Sequence, residues 1–449
     1  MLITAGDVQP DYIRDKLCAF VASEDVTFDL NLGAGVTGQR KPVVVVSPRD
    51  EQQASDVLRL SSEQHWHTLP LGGGTHMGAA GVPDTVDVAL STRHINRIID
   101  YSPADMVVTA GAGVLLSDLQ EELSKHQQML PIDPVCQAQS TIGGSVAVGA
   151  GGPMQSHYGA IRDMTVGMRV VYPDGRMIKA GSKVVKNVAG YDMTKLFVGS
   201  YGTLAFLSEI SFKLRPLPLY QTLLVASGSL EAGAEYLRRI VHSSLVPSRV
   251  EALSGPYTFI PAGNEEWHFA VDCHEDRLAS EYQVNALNVM ARDLGMVCVT
   301  YTAGATDEFW MQYHDYLRPS TLVVRYSVPP VNIMMVSQQI RVKMQALSAV
   351  SELSVSGPRG VGRLFAKDFS PDTELEVVQV IRQVVQEYEG VAVVERGSLE
   401  LRSAIDEFGT ERQDFRLMYG IKQTIDPQGI MSRGRLRGIE QWGKANLKS

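Results

Sequence analysis

The chain of 449 residues is too long to fold around one hydrophobic core, so two substantial domains are expected. Hydrophobic residues make up 44% and charged residues 20%, a composition that excludes disorder on a large scale. The formal net charge is -9, and no Lys/Arg cluster occurs beyond Arg433 to Arg437. This charge argues against a nucleic-acid partner, because phosphate binding needs a basic surface.

The cysteines and the first residues bear on location and metal content. Cys18, Cys136, Cys273 and Cys298 lie far apart without a CxxC pair, which excludes a sequence-local zinc or iron-sulfur site and fits a reducing compartment. The first ten residues lack the basic-then-apolar order of a secretory signal, and no apolar run is long enough to cross a bilayer. We therefore expect a cytoplasmic protein with no metal of its own, peripheral to a membrane only through partners.

Short strands dominate the elements predicted for the first half. A strand at 43–46, a helix over 50–62 and a strand at 69–71 form an opening unit. Further strands are predicted at 86–90, 106–110, 168–172 and 204–214. Two prolines within 215–219 cannot continue a ladder, and we place a domain boundary there.

The second half alternates helical and extended patterns. Helices are predicted over 230–242, 277–294, 331–350 and 372–389, and strands over 267–272, 297–302, 321–328, 362–366 and 391–395. Such alternation predicts a sheet covered by helices on one face. A last helix is predicted over 408–424, ending before Asp426-Pro-Gln-Gly429.

Two glycine-rich loops point to a ligand. The first, LPLGGGTHMG at 69–78, follows a strand directly, and the second, TIGGSVAVGAGG at 141–152, offers a similar surface with small side chains. Backbone N–H groups that converge where no Cβ intervenes form a nest suited to a pyrophosphate. Either loop alone is explained as a tight turn, whereas two in one domain favour a dinucleotide site.

Neither loop fits the common nucleotide-binding patterns. No Gly-Lys-Ser/Thr follows them, which excludes a Walker loop. The Gly-x-Gly-x-x-Gly pattern is also missing, since Gly111-Ala-Gly113 lacks the third glycine. A nicotinamide-type Rossmann site is therefore not expected.

Five motifs occur in the order of a known family. They are residues 42–78, Pro131-Ile-Asp-Pro134, residues 141–152, YGAIRD at 158–163, and KNVAGYDMTKLFVGSYGTL at 186–204. Together they resemble the FAD-binding domain of the vanillyl-alcohol oxidase and p-cresol methylhydroxylase (PCMH) superfamily, and within it the glycolate oxidase FAD-binding subunit. The resemblance runs from about residue 41 to 217, is faint in the following region, and returns weakly at 425–436.

The resemblance implies an α+β fold. It consists of a PCMH-type FAD-binding domain of two subdomains, an α/β cap domain with a mostly antiparallel sheet, and a short C-terminal return. The implied parts are an N-terminal extension at 1–40, the FAD-binding domain at 41–217, the cap at 218–405, and a segment at 406–449 that returns to the FAD-binding domain.

The resemblance also implies bound FAD. Some members attach the flavin through a histidine at the position of Thr75; because His76 is one residue away, we expect non-covalent FAD. The pyrophosphate would lie against Gly72, Gly73, Gly74, Thr75 and Gly78, with His76 beside them. Pro134, Thr141, Gly143, Gly144 and Ala147 would line the flavin and ribityl chain, and Gly151, Gly159, Gly202 and Ile210 would complete the wall.

Four residues depart from the family pattern. Many members have Glu where this chain has Tyr201, and Gly where it has Ala205. The closing segment has Ser432 and Arg433 in place of the usual Asn-Pro. These departures affect individual ligand contacts and leave the expected fold unchanged.

Oxidation of a 2-hydroxy acid needs a carboxylate anchor and a base for the hydroxyl proton. Arginine is the natural anchor, because its planar fork meets a carboxylate bidentately. The self-sufficient D-lactate and D-2-hydroxyglutarate dehydrogenases of the superfamily carry a histidine-rich metal motif in the cap, whereas the histidines of this protein end at His314. The remaining candidates are Arg325 and Tyr326, Glu395 and Arg396, and His157 beside the second loop; each also has an equally simple structural explanation.

Two functional hypotheses follow. In the first, the protein is an FAD-dependent oxidoreductase subunit of a 2-hydroxy-acid dehydrogenase complex of the glycolate or D-lactate type. A second flavoprotein would carry the metal motif, and an iron-sulfur protein would take the electrons. In the second, the protein is a self-sufficient D-2-hydroxy-acid dehydrogenase. A non-catalytic flavin-binding scaffold is a third hypothesis, and the missing cap histidines favour the first.

Overall fold

A computed structural model describes residues 9–29, 32, 36, 43–181, 192–260, 266–406, 408–409 and 414–446. Pro42 and residues 186–191 of the motifs above lie outside the described residues, as do residues 410–413 of the last predicted helix. Within the described part, the protein forms two subdomains that share the glycine loops, a cap domain, and a C-terminal segment.

The first subdomain is built on a four-stranded sheet. Its strands are β1 (Val26–Asp29), β2 (Val43–Val46), β3 (Thr68–Leu71) and β4 (Val88–Ser91), in the order β1-β2-β4-β3 with β4 parallel to both neighbours. Helices α1 (Pro10–Leu17) and α2 (Glu51–Glu63) pack against it, and the Asp50 side chain caps α2 by accepting from the Gln53 N–H. Residues 10–29 of the predicted N-terminal extension therefore belong to this layer.

The second subdomain is an antiparallel five-stranded sheet. It contains β5 (Ile98–Ser102), β6 (Val107–Gly111), β8 (Thr165–Val171), β9 (Met177–Gly181) and β10 (Phe206–Lys213), in the order β5-β6-β10-β8-β9. A separate pair joins β7 (Gln128–Met129) to β11 (Arg215–Pro216). Pro216 thus takes part in a ladder, contrary to our expectation, because this pair has only two strands and both are edges.

The short helices of this subdomain are α3 (Leu116–Ser124), α4 (Ile142–Val148), α5 (Gln155–Tyr158), α6 (Ile161–Met164) and α7 (Thr194–Phe197).

The cap domain is built on an eight-stranded sheet whose described pairings are all antiparallel. The strands are β12 (Tyr220–Gly228), β13 (Arg249–Ser254), β14 (Trp267–Glu275), β15 (Val297–Thr302), β16 (Leu322–Ser327), β17 (Ser351–Ser356), β18 (Val361–Ala366) and β19 (Val391–Arg396), in the order β15-β12-β14-β13-β17-β18-β16-β19. Strands β12, β13 and β17 were not predicted from the sequence.

Most of the helices cover one face of the cap sheet, as predicted. Helices α8 (Leu230–Val241), α9 (Arg277–Asp293), α11 (Ile333–Ala346) and α12 (Pro371–Gln386) bury the larger cap core with residues such as Leu287 and Ile381. Helix α10 (Gly304–Leu317) packs on the other face, where Val135 of the second subdomain joins its aromatic cluster. The cap therefore meets the FAD-binding domain through the face that α10 shares.

A buried ionic network fastens the cap to the FAD-binding domain. The Arg249 Nε of β13 lies 3.2 Å from an Asp133 carboxylate oxygen, and its Nη1 contacts Asp272 of β14. The His274 Nε2 lies 2.8 Å from the same Asp272 oxygen, and the Tyr158 hydroxyl lies 3.3 Å from His274 Nδ1. Because Arg249, Asp133 and Asp272 are almost fully buried, removal of one partner would leave an uncompensated charge. The motif aspartate Asp133 thus helps to fix the cap above the glycine loops.

The C-terminal segment contains α14 (Phe415–Ile425), whose Ile425 lies in the core of the second subdomain, and α15 (Arg437–Asn446). The preceding helix α13 (Leu399–Ala404) belongs to the cap, because Leu401 lies in the larger cap core. The Thr68 N–H of β3 donates to Ile430, and the Ser432 N–H donates to Thr68, so residues 430–432 extend the first sheet. The buried Lys422 Nζ donates to the Thr203 and Met431 carbonyls at 2.7 and 2.8 Å and pairs with Asp426. Among the residues that the structure describes, no helix is long and apolar enough to span a membrane.

Candidate functional site: a cleft between the glycine loops and the cap

The first glycine loop turns sharply after β3. A Cβ on Gly72 would lie 2.4 Å from the Thr141 Oγ1, and one on Gly73 would lie 1.9 Å from the Gln139 carbonyl oxygen. Gly74 differs from both, because its φ is +76° and no protein atom lies within 4 Å of where its Cβ would stand. Gly72 and Gly73 therefore serve close packing of the two loops, while Gly74 faces open space.

Residues 142–148 of the second glycine segment form helix α4, where the sequence predicted a loop, and the chain turns at Gly149, whose φ is +66°. The Thr141 side chain caps α4 by accepting from the Gly144 N–H at 3.2 Å. The Thr75 and Ser140 hydroxyls lie 3.0 Å apart and join the two loops. Gly143 lets α4 approach Ala112, the residue after β6, since a Cβ on Gly143 would lie 2.6 Å from the Ala112 Cβ. The two loops thus form one rigid wall.

This wall borders a cavity of about 650 Å³, a volume that includes the space at its opening to solvent. The cavity holds most of the predicted FAD ligands together with several unpredicted neighbours. The predicted residues that line it are Gly72, Gly73, Gly74, Thr75, His76, Gly143, Gly144, Ala147 and Gly202, and the neighbours include Thr92, Val148, Tyr201 and Arg435.

A second cavity of about 690 Å³ lies between this wall and the cap. It shares His76, Val148 and Tyr201 with the first cavity, so the two cavities are adjacent, and together we call them the cleft. Pro134 and Gly151 line it from the FAD-binding domain, as the resemblance implies. The cap side is formed by Leu317, Val323, Arg363, Phe365, Glu395 and Arg396.

A carboxylate between two arginines lies on the cap side of the cleft. Glu395 at the end of β19 accepts from the Arg325 Nε at 2.9 Å and from the Arg363 Nε at 2.8 Å. Burial by itself raises the pKa of Glu395, but the charges of Arg363 and Arg325 outweigh it and lower the pKa to about 2. Glu395 is therefore an ionised positioning group at neutral pH, and a poor proton acceptor.

Arg396 lines the cleft with a different set of partners. Its Nη1 donates to the Arg318 and Ser320 carbonyls at 3.0 and 2.8 Å, and Gly78 packs against its side chain. Backbone carbonyls orient the guanidinium without cancelling its charge. Arg396 can therefore meet an anion in the cleft, as an anchor requires.

His76 lies where the two cavities meet. Burial lowers the pKa of its imidazole to about 4, so the ring is neutral at neutral pH. Its Nε2 is buried and has no hydrogen-bond partner among the described residues. A buried polar atom without a partner is uncommon in folded proteins and fits a site completed by a ligand.

Tyr201 also lines both cavities. Its φ of +54° is the left-handed conformation, which costs a residue with a side chain about 1–2 kcal/mol. Its N–H donates to Ala147 at 2.7 Å, and its ring packs edge-on against Phe408 at 5.5 Å. The strained turn thus places a tyrosine in the lining of both cavities.

The remaining predicted residues lie behind the cleft wall or away from it. Thr141 caps α4, Gly159 contacts Asp163, and Ile210 lies in the core of the second subdomain. Tyr326 lies in the larger cap core with its hydroxyl 2.8 Å from Ser337, because it alternates with Arg325 across the sheet. His157 packs edge-on against Tyr158.

Three features of the cleft were not predicted from the sequence: Arg363, Arg435 and the role of Tyr201. Arg363 is the register partner of Arg325 on the neighbouring strand, a relation that only the sheet pairing reveals. The Arg435 Nη1 donates to the Met77 carbonyl at 3.1 Å, as the Arg402 Nη1 does at 3.2 Å. Both arginines hold the end of the first glycine loop.

The strand order and the two glycine segments give the class of fold that the FAD-binding protein p-cresol methylhydroxylase (PCMH) has. The orphaned His76 nitrogen, the open space at Gly74 and the small residues of both loops fit FAD, with the loops as the cradle and the cap as the cover. Residues 42–181 match the FAD binding domain family, which confirms the predicted cofactor.

Within that class, the protein is similar to glycolate oxidase subunits. It is 26% identical to glycolate oxidase subunit GlcD of Bacillus subtilis over 426 residues, covering 89% of each sequence. It is 38% identical to subunit GlcE of Escherichia coli over 151 residues, covering 33% of this sequence and 43% of that one. The structure of p-cresol methylhydroxylase matches with a TM-score of 0.73 at 15% identity, covering 97% of this protein and 98% of that one, which confirms the predicted fold.

Proposed function

We propose that the protein uses non-covalent FAD to oxidise the CH–OH group of a small 2-hydroxy acid. The observation that carries the proposal is the pair of adjacent cavities, in which His76 of the first glycine loop and the cationic side chains of the cap line the space beside the two glycine segments. The glycolate oxidase subunits among the similar proteins support the substrate class.

Bound FAD supplies the hydride acceptor for the carbon that bears the hydroxyl. Arg396 and Arg363 line the cap side of the cleft, where they can hold the carboxylate of the acid. Glu395 fixes the Arg363 guanidinium for that task. His76 is neutral and its Nε2 has no partner among the described residues, so it can accept the hydroxyl proton when the ring hydrogen is on Nδ1.

The assembly is a second part of the proposal. We propose that the protein is one subunit of a complex with another flavoprotein and with an iron-sulfur protein that takes the electrons. The names of two similar proteins as glycolate oxidase subunits support this assignment, as does the lack of histidines beyond His314 in the sequence. A cytoplasmic location, with membrane association only through these partners, belongs to the same proposal.

The test is anaerobic reduction of the flavin in the purified protein. Glycolate, D-lactate and longer D-2-hydroxy acids are mixed with the yellow protein, and the flavin absorbance is followed. Bleaching by at least one of them is expected, and Arg396→Gln should weaken it by about tenfold or more, since a charge-assisted hydrogen bond is lost. A flavin that no 2-hydroxy acid reduces, alone or with co-expressed partners, would refute the proposed substrate class.

Two further measurements test the finer assignments. Acid should release FAD into the supernatant, and flavin left on the denatured protein would refute non-covalent binding. If the protein is a subunit, steady-state turnover with a soluble acceptor should be slow alone and rise when the partners are added. Rapid turnover by the isolated protein would instead support the self-sufficient dehydrogenase.

A further inference from the structure

The two edge strands of the cap sheet differ in what protects them. β19 ends in the charged pair Glu395 and Arg396, and a Cβ on Gly409 would lie 3.6 Å from its Ala392 carbonyl oxygen, so the chain approaches this edge. β15 pairs with β12 on one side and with no described strand on the other. Its sequence, VCVTYT, contains no charged residue and no proline. Natural proteins usually block such an edge, because it is a template for another strand.

The other described edge strands of four or more residues are blocked. β1 carries Asp29, β5 carries Asp100 and β9 carries Lys179. The free side of β3 is bonded to residues 430–432 of the C-terminal segment. Within the sheets that the structure describes, the lack of protection is therefore a property of β15.

One face of β15 continues an apolar layer of the cap to the edge. Leu223 and Val225 of β12 are buried on the face that α10 shares, and their register partners in β15 are Tyr301 and Val299. Val299 is 36% exposed, and Val297, which lies on the same face, is 59% exposed. A further strand beside β15 would bury these side chains, which favours its association.

The hydrogen-bond pattern identifies the backbone groups at the open edge. The Ala303 N–H donates to the Gln221 carbonyl, so in this antiparallel pair residues 297, 299, 301 and 303 are the ones that bond to β12. Cys298, Thr300 and Thr302 alternate with them and direct their N–H and C=O groups away from β12. Thr300 is the middle residue of these three.

We propose that β15 is the dimer interface of this protein, where it pairs antiparallel with β15 of a second copy about a two-fold axis at Thr300. Thr300 then lies opposite Thr300 of the second copy, and Cys298 lies opposite Thr302, which gives about six backbone hydrogen bonds. Val299 lies opposite Tyr301 of the second copy, a β-branched and aromatic pair that stabilises sheets.

A second copy fits this edge better than an unrelated strand because the segment is complementary to itself. A two-fold interface brings the same surface of both copies together, so any charge near the axis would meet its own like charge. β15 has none, although the whole chain carries a formal net charge of -9. The two uncharged strands can therefore pair without repulsion at their contact.

The proposed dimer leaves the cleft free. β15 and β19 are the two ends of an eight-stranded sheet, so they lie roughly 30 Å apart at the usual strand spacing. The cap side of the cleft is formed at the β19 end, by side chains such as Arg363 and Glu395. The inference therefore does not rest on the proposed function, and it is compatible with further partner proteins at the cleft.

The first experiment measures the mass of the FAD-loaded protein in solution by gel filtration with light scattering. We expect twice the monomer mass of 49.1 kDa for the wild type. Thr300→Lys places two like charges opposite each other and should raise the dissociation constant of the dimer by at least about tenfold. The matched control is Thr27→Lys, the same substitution at an exposed position of the edge strand β1, which should stay dimeric. Unchanged FAD content and melting temperature show that each variant is folded.

A second experiment tests the register and does not depend on the lysine variant. Thr300→Cys is made together with Cys298→Ser, so that residue 300 can be linked across the axis only to its own copy. Residues opposite each other in a hydrogen-bonded pair have Cα atoms about 5.5 Å apart, within reach of a disulfide. Mild oxidation should therefore produce a covalent dimer, whereas Thr27→Cys with Cys298→Ser should remain unlinked.

Three results would overturn the proposal. They are a monomeric wild type at micromolar concentration, a folded Thr300→Lys variant that remains dimeric, and a Thr300→Cys variant that is linked no more than the Thr27→Cys control. A monomer that binds a different protein through β15 would also overturn the assignment to a second copy. Flavin reduction by 2-hydroxy acids is measured separately, so a failure of the proposed function leaves these outcomes unchanged.

Discussion

The glycine-loop half and the cap half of the cleft are built by different means. The loop half uses backbone groups and small residues within two short sequence segments, 72–78 and 139–151, that pack directly on each other. The cap half uses charged side chains from β16, β18 and β19, which are far apart in the sequence. A binding site made of backbone groups tolerates substitution of neighbouring side chains, but it does not tolerate a Cβ at its glycines. A cluster of charged side chains, in contrast, loses its charge balance when any one of them is replaced.

The largest effect is expected at Gly74 in the loop half. Gly74→Val should abolish FAD retention, because a branched side chain with φ near +76° is strained and would fill the open space of the cavity. The flavin-to-protein absorbance ratio after gel filtration measures this. A substitution at Gly73 would test FAD binding less directly. Its Cβ would clash with the Gln139 carbonyl, so a loss of FAD could come from disturbed packing of the two loops.

The matched control for Gly74 is Gly295. It also has a positive φ, of +72°, with no atom within 4 Å of its Cβ position, but it stands after α9 in the cap, away from the cleft. Gly295→Val should carry the same strain and keep its FAD. Full FAD content in Gly74→Val would mean that the loop is only a turn.

The second effect tests the cap half. Glu395→Gln removes the carboxylate charge between Arg325 and Arg363 and should cost about 1–3 kcal/mol of unfolding free energy, because two partly buried guanidinium groups lose a charged hydrogen-bond acceptor. The difference should depend on pH. The pKa of Glu395 is lowered in the folded state to about 2, so its contribution is complete above the unfolded pKa and disappears as pH falls through about 2.

Urea denaturation of wild type and Glu395→Gln from neutral pH down to about 2 checks this prediction. FAD content should stay near stoichiometric, which distinguishes the cap half from the loop half. Equal stability of the two proteins at neutral pH would show that the arginines do not depend on Glu395.

The third prediction concerns His76, which belongs to both halves. Its pKa is lowered to about 4 in the folded state, so the unfolded protein takes up the proton first as pH falls below about 6.5. The FAD-free wild type should therefore lose up to about 3 kcal/mol of unfolding free energy between about pH 6.5 and 4 from this residue, and His76→Gln should not. His242→Gln, at an exposed position after α8, serves as the control. Parallel pH profiles of wild type and His76→Gln would contradict the buried, neutral imidazole.

The smallest effect is expected at the hydrogen bond between the loops. Thr75→Ala removes the contact with Ser140 and should weaken FAD binding by a few-fold, in line with about 0.5–1.5 kcal/mol for a neutral hydrogen bond. Thr75→Ser keeps the hydroxyl and should bind FAD as the wild type does. Isothermal titration of the FAD-free protein measures both, and identical affinities for Thr75→Ala and wild type would show that glycine packing alone holds the loops.

The sequence by itself determined most of the loop half. Nine of the predicted FAD residues line one cavity. Most of them are close together in the sequence, so the glycine-rich pattern was enough to identify them. The strands β2, β3, β4 and β6 and the helix α2 lie within a few residues of their predicted bounds, since their periodicity is a local property. Helix α4 was predicted as a loop, and β5 and α3 were not predicted.

Tertiary structure alone decided the cap half. The sequence could not show which of Arg325 and Tyr326 faces the cleft. In the structure Arg325 pairs with Glu395 on the cleft side of the sheet, and Tyr326 points into the core and contacts Ser337. Nor did the sequence indicate Arg363, which meets Arg325 and Glu395 only through the pairing of β18 and β19 with β16. Strand order is set by packing across the whole cap, so a charge cluster assembled from three strands has no signature in any one segment of the sequence.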